Sequence, residues 1–307
     1  MPVRLSPLAP RGFTLVELTV ALALAIRVSG VAHQVLLLAQ RVAAAQAERT
    51  AAQDNVRAGT LILANELRGL GFDSLPGLAG LGGPAAASND LLLAQPTRIR
   101  YRATRGLGFS CVAPAIDRVV LRAETWAGLR LPVAGVDSVA FHVEGDAATR
   151  EDDAWVRAHV VGVASGTCPD GAPAMVLTIA WPASGLGAAA AARAVAGAPA
   201  RILEVMEIAA YVSDGVTWLG QRSLSRGEVI QPMVGPLADT GTAAPGFRLE
   251  YLDGRGTPAV EPGEVGSIVA TLRGITSRPV WNARVDRPVV DTIALVSRIA
   301  LRNTVRP

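Results

Sequence analysis

Apolar positions crowd the first forty residues and then thin into two different periods. From Phe13 to Ile26 the chain is apolar apart from its threonines and one carboxylate, Glu17. Arg27 interrupts, and the apolar run resumes over 28–38 with His33 and Gln34 inside it. Over 46–70 polar residues mix with Val56, Leu61, Leu63, Leu67 and Leu70. That spacing is helical and lays an apolar stripe along one side. Both stretches predict one helix from Phe13 to near Leu70, roughly 87 Å long at 1.5 Å per residue. Its first half is apolar enough to enter a membrane, and its second half is patterned to lie against a sheet. Ser29-Gly30 and Gly59 mark expected bends, and Gly69 and Gly71 an expected stop.

Beyond a Pro/Gly/Ala-rich loop over 73–90 the pattern shortens to alternating runs. Strands are expected over 99–103, 118–122, 138–143, 156–163, 175–181, 203–212, 247–252, 268–272 and 292–301. Turn residues such as Asp214-Gly215 and Asp253-Gly254 bound them. An alanine-rich segment over 184–200 reads as a short helix or a linker between two strand-rich halves. The expected class is α+β, a long N-terminal helix packed on an antiparallel β-sheet domain. The expected parts are 1–12, 13–72 and 73–307, the last in two pieces around 184–200.

Composition sharpens this only a little. Half of the 307 residues are hydrophobic, enough for a sizeable core. Every basic side chain is arginine, and the net charge is only +3. The isoelectric point of 9.4 therefore does not by itself argue for nucleic-acid binding.

The informative chemistry lies at the start. Arg11-Gly12-Phe13-Thr14-Leu15-Val16-Glu17-Leu18 places a short basic leader, a glycine and an aromatic before the apolar run. An ionisable group at bilayer depth costs roughly 2.5–3.5 kcal/mol or more, and it usually has a partner. The arrangement resembles the processing and assembly signal of type IV prepilins and pseudopilins. That resemblance implies cleavage by a prepilin peptidase between Gly12 and Phe13, with methylation of the new N-terminus at Phe13. It implies that Glu17, fifth in the mature chain, pairs with the N-terminal amine of a neighbouring subunit during assembly. A carboxylate and an ammonium that meet in low dielectric offset each other's burial cost. Arg4 and Arg11 in the leader suit a cytoplasmic N-terminus.

Asn65-Glu66-Leu67-Arg68-Gly69-Leu70-Gly71-Phe72 is similar to the end of the long helix in the larger minor pilins. These are the PilW-like group and the J-type pseudopilins of type II secretion. Ser297-Arg298-Ile299-Ala300-Leu301-Arg302-Asn303 resembles their closing strand. The implied protein is a structural subunit and not an enzyme, and no cofactor is expected. Its implied partners are other minor subunits and the major subunit. Its implied place is the inner membrane with the C-terminal domain in the periplasm, then a pilus or pseudopilus. Some filaments of this family bind DNA.

Two features depart from this pattern or compete with it. Arg27 breaks an apolar run that the family usually keeps unbroken. It lies about 15 Å along a helix from Glu17, where it either snorkels toward headgroups or pairs with an acidic group on a neighbour. Ala21-Leu22-Ala23 and Ala23-Leu24-Ala25 both read as cleavage sites of an ordinary secretory signal peptide. Glu17 opposes that alternative, as does the helical pattern continuing past Ala25. With the signal-peptide reading goes a secreted binding module or adhesin, and a further class is a periplasmic enzyme anchored by the same helix.

The remaining candidates are weaker. Cys111 and Cys168 are the two cysteines, and after export a pair reads as one disulfide, with two unpaired buried thiols as the alternative. With histidines scattered at 33, 142 and 159 and no C-x-x-C, a metal site is not expected. Arg98, Arg100 and Arg102 would project from one face of a strand, with Arg105 beyond. They read either as a basic stripe for DNA phosphate or as the solvated face of a half-buried strand. Glu151-Asp152-Asp153 reads as a solvated acidic loop with no calcium-loop spacing. Asp253-Gly254-Arg255-Gly256 reads as a hairpin turn and not as a phosphate cradle. Gly162-Val163-Ala164-Ser165-Gly166 lacks the nucleophile-elbow spacing, and neither a P-loop nor a dinucleotide fingerprint occurs.

Overall fold

The computed structural model describes residues 12–70, 90–144, 154–182, 186–282 and 284–301. The leader before Gly12, Gly71, the acidic Glu151-Asp152-Asp153 and the tail residues Arg302 and Asn303 lie outside them.

Helix α1, Leu15–Arg68, is 54 residues long, about 81 Å by its rise. Thr14 caps its start and Gly69 its end. It runs without interruption through Ser29-Gly30 and Gly59, so neither site breaks the helix. A Cβ on Gly59 would meet Val234 Cγ2 at 2.8 Å. That glycine permits close approach to the sheet. The buried face reads Ala45, Ala52, Val56, Gly59, Leu63 and Leu67, with Leu70 just beyond. Leu61, expected on this stripe, is 66% exposed. It stands two residues from Leu63, about 200° around the helix.

The rest is strand. In chain order these are β1 (Leu91–Gln95), β2 (Arg98–Phe109), β3 (Arg118–Arg122), β4 (Ala127–Gly128), β5 (Ser138–Val143), β6 (Ala154–Thr167) and β7 (Pro173–Ala180). A short helix α2 (Leu186–Arg193) precedes β8 (Pro199–Ser213), β9 (Val216–Ser223), β10 (Gln231–Leu237) and β11 (Phe247–Leu252). Then come β12 (Ser267–Ile275), β13 (Val280–Asn282), β14 (Arg287–Val289) and β15 (Thr292–Ala300). The fold is α+β: one long apolar helix and a large antiparallel sheet.

Thirteen strands form one sheet in the order β11-β12-β10-β9-β8-β5-β6-β7-β3. β2 joins at β8 and carries β1 and β4, and β15 lies on β12. β13 and β14 form a separate hairpin. The alanine-rich segment contains α2, and the halves that flank it are joined in space, because β8 pairs with both β2 and β5.

All nine expected strands form. β1, β4, β9, β10, β13 and β14 add to them. β10 holds Pro232, Gly235 and Pro236, residues that punctuate strands, and its pairing with β9 shifts register at two places. Tertiary pairing here outweighs local propensity. Between β8 and β9, Asp214 and Gly215 both have positive φ, 51° and 75°, the two-residue turn that suits strand twist. Asp253 behaves differently. Gly256 N donates to its carbonyl at 3.1 Å, so a tight turn forms there. Leu252 bridges Pro258 antiparallel across it, so the expected hairpin turn forms inside a longer β11–β12 connection over 253–266.

Two apolar cores result. One joins Val56, Leu63 and Leu67 of α1 to Tyr101, Ile208, Leu219, Phe247 and Leu272. The other joins Val119, Phe141, Val160, Leu177 and Ile202 on the far side of the sheet path. β8 serves both, since Ala200 and Ile202 enter the second and Met206 and Ile208 the first.

Candidate functional site

Gly12 and Phe13 precede the helix, and the Phe13 side chain is 89% exposed. Glu17 N donates to Thr14 Oγ1 at 3.2 Å. In return Glu17 Oε2 accepts from Thr14 N at 2.9 Å and from Thr14 Oγ1 at 3.0 Å. This reciprocal capping box satisfies donors that a helix start leaves free. The carboxylate is thus held at the positive end of the helix, one residue from the Phe13 nitrogen. The T-x-x-E spacing was legible in the sequence, where Glu17 was assigned only to a neighbour's amine.

From Phe13 to Val42 the large apolar side chains of α1 are exposed, and Ala45 is the first buried residue. This stretch is long and apolar enough to cross a membrane. Arg27 lies on it, exposed.

Beyond Ala45 the helix is tied to the sheet by polar bonds as well as apolar contact. Arg49 Nε meets Asp291 Oδ2 at 2.7 Å, and Asn55 Nδ2 donates to Gly235 O at 2.8 Å. A Cβ on Gly274 would meet Val56 Cγ2 at 2.6 Å, so the helix and β12 nearly touch. Near the end of α1, Glu66 Oε2 accepts from Tyr101 Oη at 3.0 Å, and Tyr101 Oη accepts from Gln221 Nε2 at 3.0 Å. Burial, reinforced by the Glu66 charge, pushes the Tyr101 hydroxyl well above its ordinary pKa, so it stays a neutral donor.

The arginine stripe lies on the partly exposed face of a half-buried strand, as the second reading expects, and is ion-paired there as well. β8 carries two carboxylates that are almost fully buried, Glu204 and Glu207. Arg100 on β2 and Arg222 on β9 stand in register on either side of Glu207. Arg100 Nε reaches Oε2 at 2.5 Å and Arg222 Nη2 reaches Oε1 at 2.6 Å, with Arg98 at 4.0 Å. Arg105, three residues on from Arg102, falls on the other face of the strand, beside a register shift between Thr104 and Gly106. Arg105 Nε meets Glu204 Oε2 at 2.8 Å and Nη1 meets Glu66 Oε1 at 3.7 Å. Arg130 and Arg226 also bond Glu204, at 3.0 and 2.8 Å, and Ser223 Oγ donates to it at 2.6 Å. Burial opposes the charge on Glu204, but these donors outweigh burial and hold its carboxyl at about 2. Glu207 is likewise held below its ordinary value, against burial, by Arg100 and Arg222. Arg100 and Arg105 are therefore bonded to internal carboxylates, with Arg98 at the edge of contact. The sequence could not reveal this, because the pairing depends on which strands flank β8.

Cys111 and Cys168 form a disulfide, with Cα atoms 5.7 Å apart. It ties the segment after β2 to the β6–β7 turn. His142 stacks edge-on with Trp155 at 5.8 Å, and His159 Nδ1 lies 3.4 Å from Ser138 Oγ. Both are sheet residues set apart from the two carboxylates of β8. No family model, curated protein or solved structure matches the chain.

Proposed function

We propose that this protein is a minor pilin or pseudopilin of the larger, PilW-like kind. It is made as a precursor, cut after Gly12, methylated at Phe13 and held in the inner membrane by the first half of α1. It then enters a short filament-initiating or capping complex of a type IV pilus or type II secretion pseudopilus. Its role is structural, through helix packing and a Glu17-to-amine pair.

The observation that carries this reading is the form of α1. One unbroken helix projects about 30 residues of exposed apolar surface beyond a folded sheet domain. Its only carboxylate before Glu48 stands at its very start. A cut after Ala23 or Ala25 would leave the same helix exposing Val28, Val31, Val35, Leu36 and Leu38 to water. A surface of that extent marks a membrane or protein contact. The capping box is compatible with assembly. A neighbour's ammonium would replace neutral N–H donors with a full charge at the same carboxylate.

Two variants test the proposal. A bulky Gly12→Leu substitution is expected to leave the leader uncut. Glu17→Val is expected to be cut normally yet be lost from sheared or co-purified filaments. Normal incorporation of Glu17→Val would remove the pairing mechanism.

A further inference from the structure

The β13–β14 hairpin stands where the exposed part of α1 ends. Its residues Trp281, Asn282 and Arg284 line a groove with Leu38, Arg41 and Val42. Its base, at Arg278, Val280 and Pro288, faces Ala44 and Glu48, one to two turns further along. The hairpin tip is therefore the part of the sheet domain nearest the membrane-spanning stretch.

The depth can be placed from the helix. A hydrocarbon core of about 30 Å takes about 20 helical residues, and the whole bilayer with headgroups takes roughly 27–30. Counted from Leu15 at the near headgroups, the far headgroup zone covers roughly residues 38–44. Leu38, Arg41 and Val42 fall inside it, and so does the hairpin tip beside them.

The hairpin's chemistry suits that depth. Trp281 is 40% exposed, and Val285 stands exposed at the turn. Arg41, Arg278, Arg284 and Arg287 are exposed, and among the described residues none has an ion pair. This contrasts with Arg49, which is bonded to Asp291, and with the arginines of β2. The acidic groups nearby are Asp286 in the turn and Glu48, which accepts from Ser277 N at 3.1 Å. Four cations against two carboxylates leave a positive surface. Tryptophan and arginine at the membrane–water boundary are the standard interfacial pair.

We propose that the β13–β14 hairpin is a foot on the anionic phospholipid surface of the leaflet facing the sheet domain. Trp281 and Val285 enter the headgroup layer, while Arg41, Arg278, Arg284 and Arg287 bind lipid phosphates. The foot fixes how the sheet domain stands over the bilayer before assembly. It rests on the membrane reading of α1 given above, so the test monitors both.

The two native cysteines are bonded to each other, so one introduced cysteine is the sole free thiol. Full-length protein carrying Val285→Cys, labelled with a polarity-sensitive fluorophore, is reconstituted in vesicles. One set contains about one-third phosphatidylglycerol, where surface charge is high, and one is pure phosphatidylcholine. Quenching by a headgroup nitroxide lipid reports the hairpin. A parallel Val20→Cys label, quenched by a nitroxide deep in the acyl chains, reports the helix. The expected result is quenching of both labels. The Val285 signal should be at least about threefold stronger with phosphatidylglycerol and be lost in an Arg284→Glu, Arg287→Glu background. Quenching at Val20 without quenching at Val285 would overturn the foot and leave the membrane reading standing. Quenching at neither would remove both. Equal Val285 quenching in the two lipids would overturn the phosphate contact. Shielding that rises with protein concentration in lipid-free detergent would assign the surface to a second copy instead.

Discussion

Glu204 and Glu207 lie three residues apart on β8, both buried and both ionised, and each is surrounded by arginine from other strands and loops. A buried charge persists only when paired and hydrogen-bonded, and removing one partner leaves the others unsatisfied. Glu204→Gln leaves Arg105, Arg130 and Arg226 around a neutral amide. The arginines are partly exposed, so the expected loss is about 2–4 kcal/mol in urea unfolding. The pH dependence has a fixed sign. Folding lowers the Glu204 carboxyl from its ordinary 4.5 to about 2. Its contribution is therefore complete above about 4.5 and fades as pH falls from there toward 2. Urea midpoints should drop across that window, and the drop should be shallower in Glu204→Gln. An identical pH profile in the two proteins would show that the network is not what acid disrupts. At this scale the sequence was read unevenly. Phe13, Glu17 and the cysteine pair stood out from local spacing. Glu204, Glu207 and Tyr101 did not, since an isolated Glu-x-x-Glu on a strand says nothing until β2 and β9 are known to flank it.

The elements were more legible than their joints. The long helix follows from the switch of a continuous apolar run into a 3.6-residue stripe, and nine strands follow from alternation. β9 and β10 escaped notice because Gly220, Pro232, Gly235 and Pro236 look like turn residues. Two of these glycines make room for side chains, since a Cβ on Gly220 would meet Tyr211 and one on Gly235 would meet Trp218. The same logic governs the helix–sheet seam. Gly59, a weak point for bending in the sequence, is a contact point against Val234, and Gly274 on β12 is its counterpart against Val56. Gly274→Val is expected to push α1 off the sheet. Amide exchange over Ala52–Leu67 should then speed up while β5–β7 stay protected in the other core. Uniform loss of protection would mean that the two cores unfold as one unit. Leu63→Ala, at a fully buried site on the same seam, should cost about 2–5 kcal/mol.

The whole molecule divides its stabilising forces along its length. The sheet domain has two apolar cores, the β8 ion network and a disulfide that closes a 57-residue separation. Replacing Cys111 and Cys168 by serine should lower stability by about 4 kcal/mol, read as a shift in the urea midpoint relative to the oxidised protein. Among the described residues the projecting half of α1 has none of these supports, and its apolar surface is long enough to cross a membrane. That division was visible in the sequence as a change of period near residue 46. The hairpin at the boundary was not, because Trp281 and its neighbouring arginines acquire meaning only from their position beside Leu38 and Arg41. The central claim is that the exposed helix is a processed assembly element. The N-terminus and intact mass of the mature protein, taken from a membrane fraction, test it most directly. The account predicts a chain that begins at N-methylated Phe13. A chain that begins near Ile26 and is recovered in the soluble fraction would contradict it, making the apolar run an ordinary signal peptide.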